Sequence, residues 1–471
     1  MKNHDTALVY PLFIMAFIRL FPCQKSYSLV APGGRAVKFM RSFMPGLAIT
    51  LLLLVPAVSR ASEAGQQGDV TYTVNTLLFG DAQYPAHSTQ NPDNAFLNLY
   101  RYSTDLEVRP DIFLEKPSIS AVAKPRFTSS YRWWEDGIAR GRTGSESRAF
   151  VNEWRVQAKT FSTLFLSFGK EKLLWGPSFL ASPSNIIFKD TEKINPKSEV
   201  EGKYLAKLLY VPNAAVSVSM IAQTQNDENE RRETLKPLQA MKADLLGGNY
   251  LVSVIAYHRQ DDRFRLGCFG QWTASDALLL YYDGLVSRGT DALYPVQDAA
   301  SPLGGTFVKQ YDGSGRLFTT ALAGGAYTFL SGSTLSMEFL YNGQGYTDAE
   351  ANEYYRLRRS AGEHLFDGGL LSGLSQKTLG EAFGTGSPFL RRYYLMGQFQ
   401  IREIGNVLDI IVRYTHSLEE HAGQASTILE WQLSDRIRFF NLNTFGVNSG
   451  GDKEYNTLVS KSIMAGIEVH F

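Results

Sequence analysis

Charged side chains recur at alternate positions inside otherwise apolar stretches of this 471-residue chain. Glu153, Arg155 and Lys159 fall in one such stretch, Lys203 and Lys207 in another, and Glu338 in a third. Arg392 and Arg402, Asp409 and Arg413, Glu430, and Glu468 follow toward the C-terminus. This pattern points to sorting rather than catalysis: charges lining a wet interior set the selectivity of a pore. Both signs occur, so neither strong anion nor strong cation preference follows. Many of these groups are expected to pair across strands and keep the interior hydrogen-bonded. A second constellation is Trp175-Gly176-Pro177 followed by Ser182-Pro183-Ser184-Asn185. Trp175 could offer an aromatic face to a sugar ring, but the plainer expectation is a packed side chain that anchors its loop.

Other chemistry-bearing patterns are weak. His416-Ser417-Leu418-Glu419-Glu420-His421 mimics a metal-binding motif, yet it falls in a hairpin loop and lacks the helical i, i+4 geometry. The run Asp227 to Glu233 reads as a solvated surface loop. Cys268 alternates with Phe264, Leu266 and Trp272 and is expected to face lipid. Cys23 lies in the leader, so no internal disulfide is expected. There is no nucleophile elbow, P-loop or haem-attachment motif. No catalytic residue, metal or cofactor is expected.

The elements that would hold the charges are strands. At the C-terminus Ile463, Ala465, Ile467, Val469 and Phe471 share one face, while Ser462, Met464, Gly466, Glu468 and His470 share the other. The same period of two recurs with Phe150, Trp154, Val156 and Ala158, with Leu335, Met337, Phe339 and Tyr341, and with Leu408, Ile410, Val412 and Tyr414. About 18 strands (16–18) are predicted, an even number as in bacterial single-chain barrels. They fall near 70–80, 96–107, 119–131, 147–159, 161–171, 203–211, 213–223, 237–246, 248–258, 262–273, 275–286, 315–329, 332–343, 389–402, 405–416, 424–433, 435–446 and 458–471.

The connections separate a barrel from a sandwich. Short ones, at Thr160, Pro212, Gly247, Ala274, Leu330-Ser331, Glu403-Ile404 and Ser434, mostly alternate with long ones. Long loops fall at 81–95, 132–146, 172–202, 224–236, 287–314, 344–388 and 447–457. Two connections break the rule: 108–118 is long for a periplasmic turn and 259–261 is short for an outer loop. The expected fold is all-β, a transmembrane antiparallel up-and-down barrel with an aqueous interior.

Composition agrees. The chain is 44% hydrophobic and 13% aromatic, with 41 glycines and a net charge of +1. Balanced charge argues against a nucleic-acid partner, and the chain beyond the leader has no apolar run long enough for a membrane-spanning helix. Residues 1–61 read as a leader: a basic start near Met40, an apolar core from Gly46 to Val58, and small residues before Ser62. Cleavage is expected after Ala61, translation is expected to start near Met40 or Met44, and 62–471 is expected to form the barrel.

The segment Gly169-Lys170 through Trp175-Gly176-Pro177 to Ser182-Pro183-Ser184-Asn185 resembles a motif of large outer-membrane barrels of the alginate-export and carbohydrate-porin-like groups. It is also similar to the capsule-assembly outer-membrane barrel, except that Leu174 and Ser178 flank the core here. The resemblance implies a bacterial outer-membrane β-barrel porin family and a tie to polysaccharide. The expected function is a non-enzymatic channel of the Gram-negative outer membrane for small hydrophilic, saccharide-like or anionic solutes. The alternatives are a polysaccharide attachment or export barrel using loops 172–202 and 344–388, and a sheath for a periplasmic redox partner. Expected partners are outer-membrane lipid, lipopolysaccharide and the barrel-assembly machinery, the last through the C-terminal strand ending in Phe471. The 172–202 loop is long enough to fold inward and narrow the interior.

Overall fold

The computed structural model describes residues 70–471 except 87, 189–191, 225–237, 260–262, 313–314, 448–453 and 457. The leader expected over 1–61 lies outside the described residues, as does the acidic run 227–233.

Alternating β-branched, aromatic and polar residues fold into β1 (Val70–Pro85), β2 (Tyr102–Glu115), β3 (Ile119–Trp133), β4 (Thr143–Phe161), β5 (Leu164–Glu171) and β6 (Lys203–Asn213). Next come β7 (Val216–Gln223), β8 (Leu238–Leu246), β9 (Tyr250–Arg259), β10 (Phe264–Thr273) and β11 (Leu278–Arg288). A two-stranded hairpin, β12 (Tyr294–Gln297) and β13 (Gly305–Val308), interrupts the series. It resumes with β14 (Leu317–Thr328), β15 (Thr334–Asn342), β16 (Tyr393–Ile404), β17 (Leu408–Ser417), β18 (Ala422–Ser434), β19 (Ile437–Val447) and β20 (Val459–His470).

The main sheet has 18 strands. Each pairs antiparallel with the next, and β1 pairs with β20 from Asn75↔His470 to Pro85↔Val459, which closes the ring. Closure leaves no sheet edge, so the backbone is satisfied without water. Phe471 continues the seam: its N–H donates to the Val74 carbonyl at 3.0 Å, and Val74 N–H returns the bond at 3.2 Å. The outward face carries large exposed apolar side chains, among them Phe168, Met220, Val254, Leu266, Met337 and Val412. That is the wall of a transmembrane barrel. Cys268 pairs with Gly284 on this outward face.

All the expected strands are present, with shifted ends. β2 runs on to Glu115 although Pro110 lies within it. Pro110 lacks a donor, and the β2–β3 ladder skips from Val108↔Phe127 to Ile112↔Ala123. The Arg126 guanidinium fills the gap by donating to the Pro110 carbonyl at 2.9 Å. The turn expected over 108–118 therefore shortens to residues 116–118, as at the other turns of that end. The connection between β9 and β10 remains short.

One face assignment is corrected. The β3–β4 register passes from Lys124↔Glu153 to Pro125↔Val151, so Asn152 is an extra residue on β4. A bulge of this kind flips the alternation. Trp154 keeps its expected outward face, but Phe150 pairs with the buried, inward Arg126 and shares its face.

The long loops build a cap. The loop expected over 344–388 spans 343–392 and contains α1 (Asp348–Glu363) and α2 (Gly369–Phe383). Thr347 and Glu350 form a reciprocal capping box at the start of α1. Leu357, Ala361 and Leu379 of these helices bury with Tyr294 and Phe307 of the β12–β13 hairpin in one apolar cluster. Phe96, from the 86–101 loop, stacks on Phe383 with ring centroids 5.7 Å apart.

Candidate functional site: an inward loop across the barrel

The connection from β5 to β6 does not project outward. Its residues bond to inward-facing side chains of β3, β11, β15, β17, β18 and β20, which a single loop can reach only from inside the ring. The described residues of the 172–202 loop thus lie within the barrel.

The motif residues dock it. Gly176 has φ +90°, a backbone conformation that favours glycine, and its bare α-carbon faces the Asp283 carboxylate. Ser182 Oγ donates to Asp283 at 2.8 Å, and Ser184 N–H donates to the same carboxylate at 2.7 Å. Asn185 braces the loop against itself, donating to the Leu173 carbonyl at 2.8 Å and accepting Phe188 N–H at 3.1 Å. Pro177 follows Gly176 at the turn, and its carbonyl, with those of Gly176 and Ser178, accepts from Lys193 Nζ at 2.9–3.1 Å. Trp175 packs against an apolar cluster of Ile187, Phe188, Leu205, Ile255, Tyr257 and Phe269. The structure therefore brings Trp175, Gly176, Pro177, Ser182, Ser184 and Asn185 together as an anchoring device.

A second anchor is Glu338, about 1% exposed. Its carboxylate accepts from Phe179 N–H at 2.6 Å, Leu180 N–H at 2.8 Å and Tyr281 Oη at 2.8 Å. Leu180 packs beside it on Leu322, Leu340 and Met396. Across the barrel the contacts become ionic. Lys197 Nζ lies 2.6 Å from Glu430 and 2.9 Å from Glu468. Arg126 grips Glu199 through two nitrogens, at 2.6 and 2.9 Å. Arg413 donates to Gln398 at 2.6 and 2.9 Å and to the Lys193 carbonyl at 2.9 Å.

The remaining charges from the alternation lie as follows. Glu153 pairs with Lys124 at 2.9 Å and lies 3.8 Å from Lys172. Lys207 pairs with Glu171 at 3.0 Å, and Arg155 stands 3.9 Å from that carboxylate. Lys203 sits over the Phe188 ring at 5.9 Å. Lys159 is exposed near the short-turn end of β4. Asp409 caps the β16–β17 turn, accepting Glu403 N–H at 2.8 Å. Arg392 precedes β16 and donates to the Gly345 carbonyl at 3.1 Å, at the long-loop mouth. Arg402 is exposed and lines a cavity.

The loop has a cavity on either side. Toward the long-loop end, about 180 Å³ is lined by Arg259, Arg263, Arg265, Asp291, Asn342 and Gln344. Toward the short turns, about 600 Å³ is lined by Gln271, Tyr281, Thr334, Ser336, Gln400 and Arg402, with Phe179 and Lys193 as roof. Asp283 stands at an inward register position beside Tyr281, so strand alternation could have exposed it. Lys193, Lys197 and Glu199 sit in irregular backbone, where no period marks them.

No family model matches the chain, and no curated protein matches it. Solved structures do. OccAB1 of Acinetobacter baumannii aligns with a TM-score of 0.52 at 10% identity, covering 86% of this chain and 97% of that one. OccK11 (OpdR) of Pseudomonas aeruginosa gives 0.49 at 9%, over 86% and 97%. The outer membrane protein OprD of Pseudomonas aeruginosa gives 0.48 at 10%, over 86% and 95%. At such identity the likeness to OccAB1 concerns the fold: over most of both chains, this protein is built as the same kind of barrel.

Proposed function

We propose that this chain is a non-enzymatic channel of the Gram-negative outer membrane for small hydrophilic solutes, preferring anionic, saccharide-like ones. One observation carries the reading: a loop is held inside a closed, lipid-faced ring and leaves a polar cavity on each side of itself. A barrel of this strand number is wide enough for water, and an inward loop narrows it. The preference rests on charge. Arg259, Arg263 and Arg265 line the smaller cavity, and Arg402 and Lys193, which also holds the loop backbone, line the larger one, while Asp283 and Glu338 are engaged with the loop. Asp291, paired with Arg263, moderates this excess.

The purified protein in planar bilayers should give discrete conductance steps, with a reversal potential in a KCl gradient displaced toward chloride. Liposomes carrying it should admit sugar acids faster than neutral sugars of the same size. A silent bilayer would defeat the channel reading, and equal uptake rates the preference. A polysaccharide-holding role keeps only the 343–392 cap as its surface, because the 172–202 loop lies inside. Lipopolysaccharide contact and insertion through the C-terminal strand belong to the same proposal, as does the leader over 1–61.

A further inference from the structure

The inward loop is held in two different ways. Its first half is welded: Leu180, Ile187 and Phe188 are buried in apolar clusters, Ser184 is buried against Asp283, and Ser178 and Asn185 are buried in bonds to the carbonyls of Ala181 and Leu173. Releasing it would expose apolar surface and unpair buried carboxylates, both strongly unfavourable.

Residues 192–200 differ. They form a tongue whose base is pinched where Glu192 accepts Val200 N–H and pairs with Lys172 at 2.8 Å. At the tip Asn195 makes a turn, accepting Lys197 N–H on its side chain at 3.0 Å and Ser198 N–H on its carbonyl at 3.1 Å. One side of the tongue meets the wall, through Lys197 on Glu430 and Glu468 and through Glu199 on Arg126. The other side is bare: Ile194 is 47% exposed, and Pro196 and Ser198 are exposed too. An exposed Ile inside the ring borders open space. What holds the tip is charge, together with a hydrogen bond from Arg109 to the Lys197 carbonyl at 2.7 Å, in a compartment where water can take over the partners when they part.

We propose that the 192–200 tongue is the movable edge of the solute path, and that the latch of Lys197 on Glu430 and Glu468 sets the size limit of the channel. The inference rests on the channel reading and adds a gate to it. Two carboxylates on β18 and β20 share one ammonium. Reversing Lys197 therefore places three negative charges together and drives the tip from the wall.

The test uses the full barrel in planar bilayers, with graded polyethylene glycols as size probes. K197E is expected to raise single-channel conductance at least about twofold and to admit larger polymers, with K197M showing a smaller rise. Adding E430K and E468K to K197E restores opposite charges and should return conductance and cut-off toward those of the parent, which a merely damaged loop would not do. Unchanged conductance and cut-off in both K197E and K197M would overturn the latch. A second readout separates it from the channel reading. S198C, labelled by a bulky maleimide, should react faster when K197E is also present. Faster labelling in a barrel that never conducts would uphold the moving tongue and end the channel reading; equal labelling would end the tongue's movement.

Discussion

Gly176 turns its bare α-carbon to the Asp283 carboxylate, so the loop can come down onto β11. A Cβ there would lie 2.6 Å from Ser182 Oγ and closer still to Asp283. The positive φ adds strain of about 1–2 kcal/mol for any other residue. G176A should therefore lift the loop from Asp283 without harming the wall. The expected outcome is noisier, larger conductance with an unchanged shift between heated and unheated protein on gels.

Glu338 does related work one anchor along. Replacing it with Ala leaves two backbone N–H groups and the Tyr281 hydroxyl without their acceptor. Each unmet buried donor costs about 1–3 kcal/mol, and water from the adjoining cavity recovers part of that. E338A should lower stability by about 2–4 kcal/mol, read as earlier thermal unfolding in detergent. E338Q keeps one acceptor oxygen and should fall between.

Arg402 of β16 and Arg392, just before it, should part company. Arg402 lines the larger cavity, whereas Arg392 is spent on the Gly345 carbonyl at the mouth. R402A should move the reversal potential toward cations, because it removes a positive charge facing the path. R392A should leave that potential in place and loosen the cap, seen as faster protease cleavage within 343–392. Equal shifts from both would defeat the distinction.

The barrel was legible because lipid outside and water inside force a period of two on every strand. That period survives small errors: the turns near Thr160 and Pro212 sit two residues further on, yet the strands are the same. It fails where the backbone breaks step. The extra residue Asn152 moved Phe150 to the other face, and Pro110 hid the end of β2. The cap helices were partly legible, since Thr347 and Glu350 stand in capping-box spacing before α1. Docking of the loop was not, because Lys197 and Glu468 meet across 271 residues of chain with no local pattern to announce it.

The cap carries its own pH dependence. Glu454, in the 448–458 loop, accepts Leu390 N–H at 2.8 Å and Tyr394 Oη at 2.6 Å. Burial pushes its carboxyl up to about 7, and the neighbouring Glu420 adds to the rise while Arg391 opposes it. A carboxyl raised in the folded protein binds its proton more tightly there than when released. Stability of the contact is therefore full below the ordinary carboxylate range, falls as pH rises from there to about 7, and levels off above. Amides of residues 389–391 should exchange with deuterium more slowly at pH 5 than at pH 8, after correction for intrinsic rates. E454Q carries no proton to lose and should flatten that difference while keeping the cap in place. If the wild-type protein shows no difference between the two pH values, Glu454 does not govern how the 343–392 cap is held.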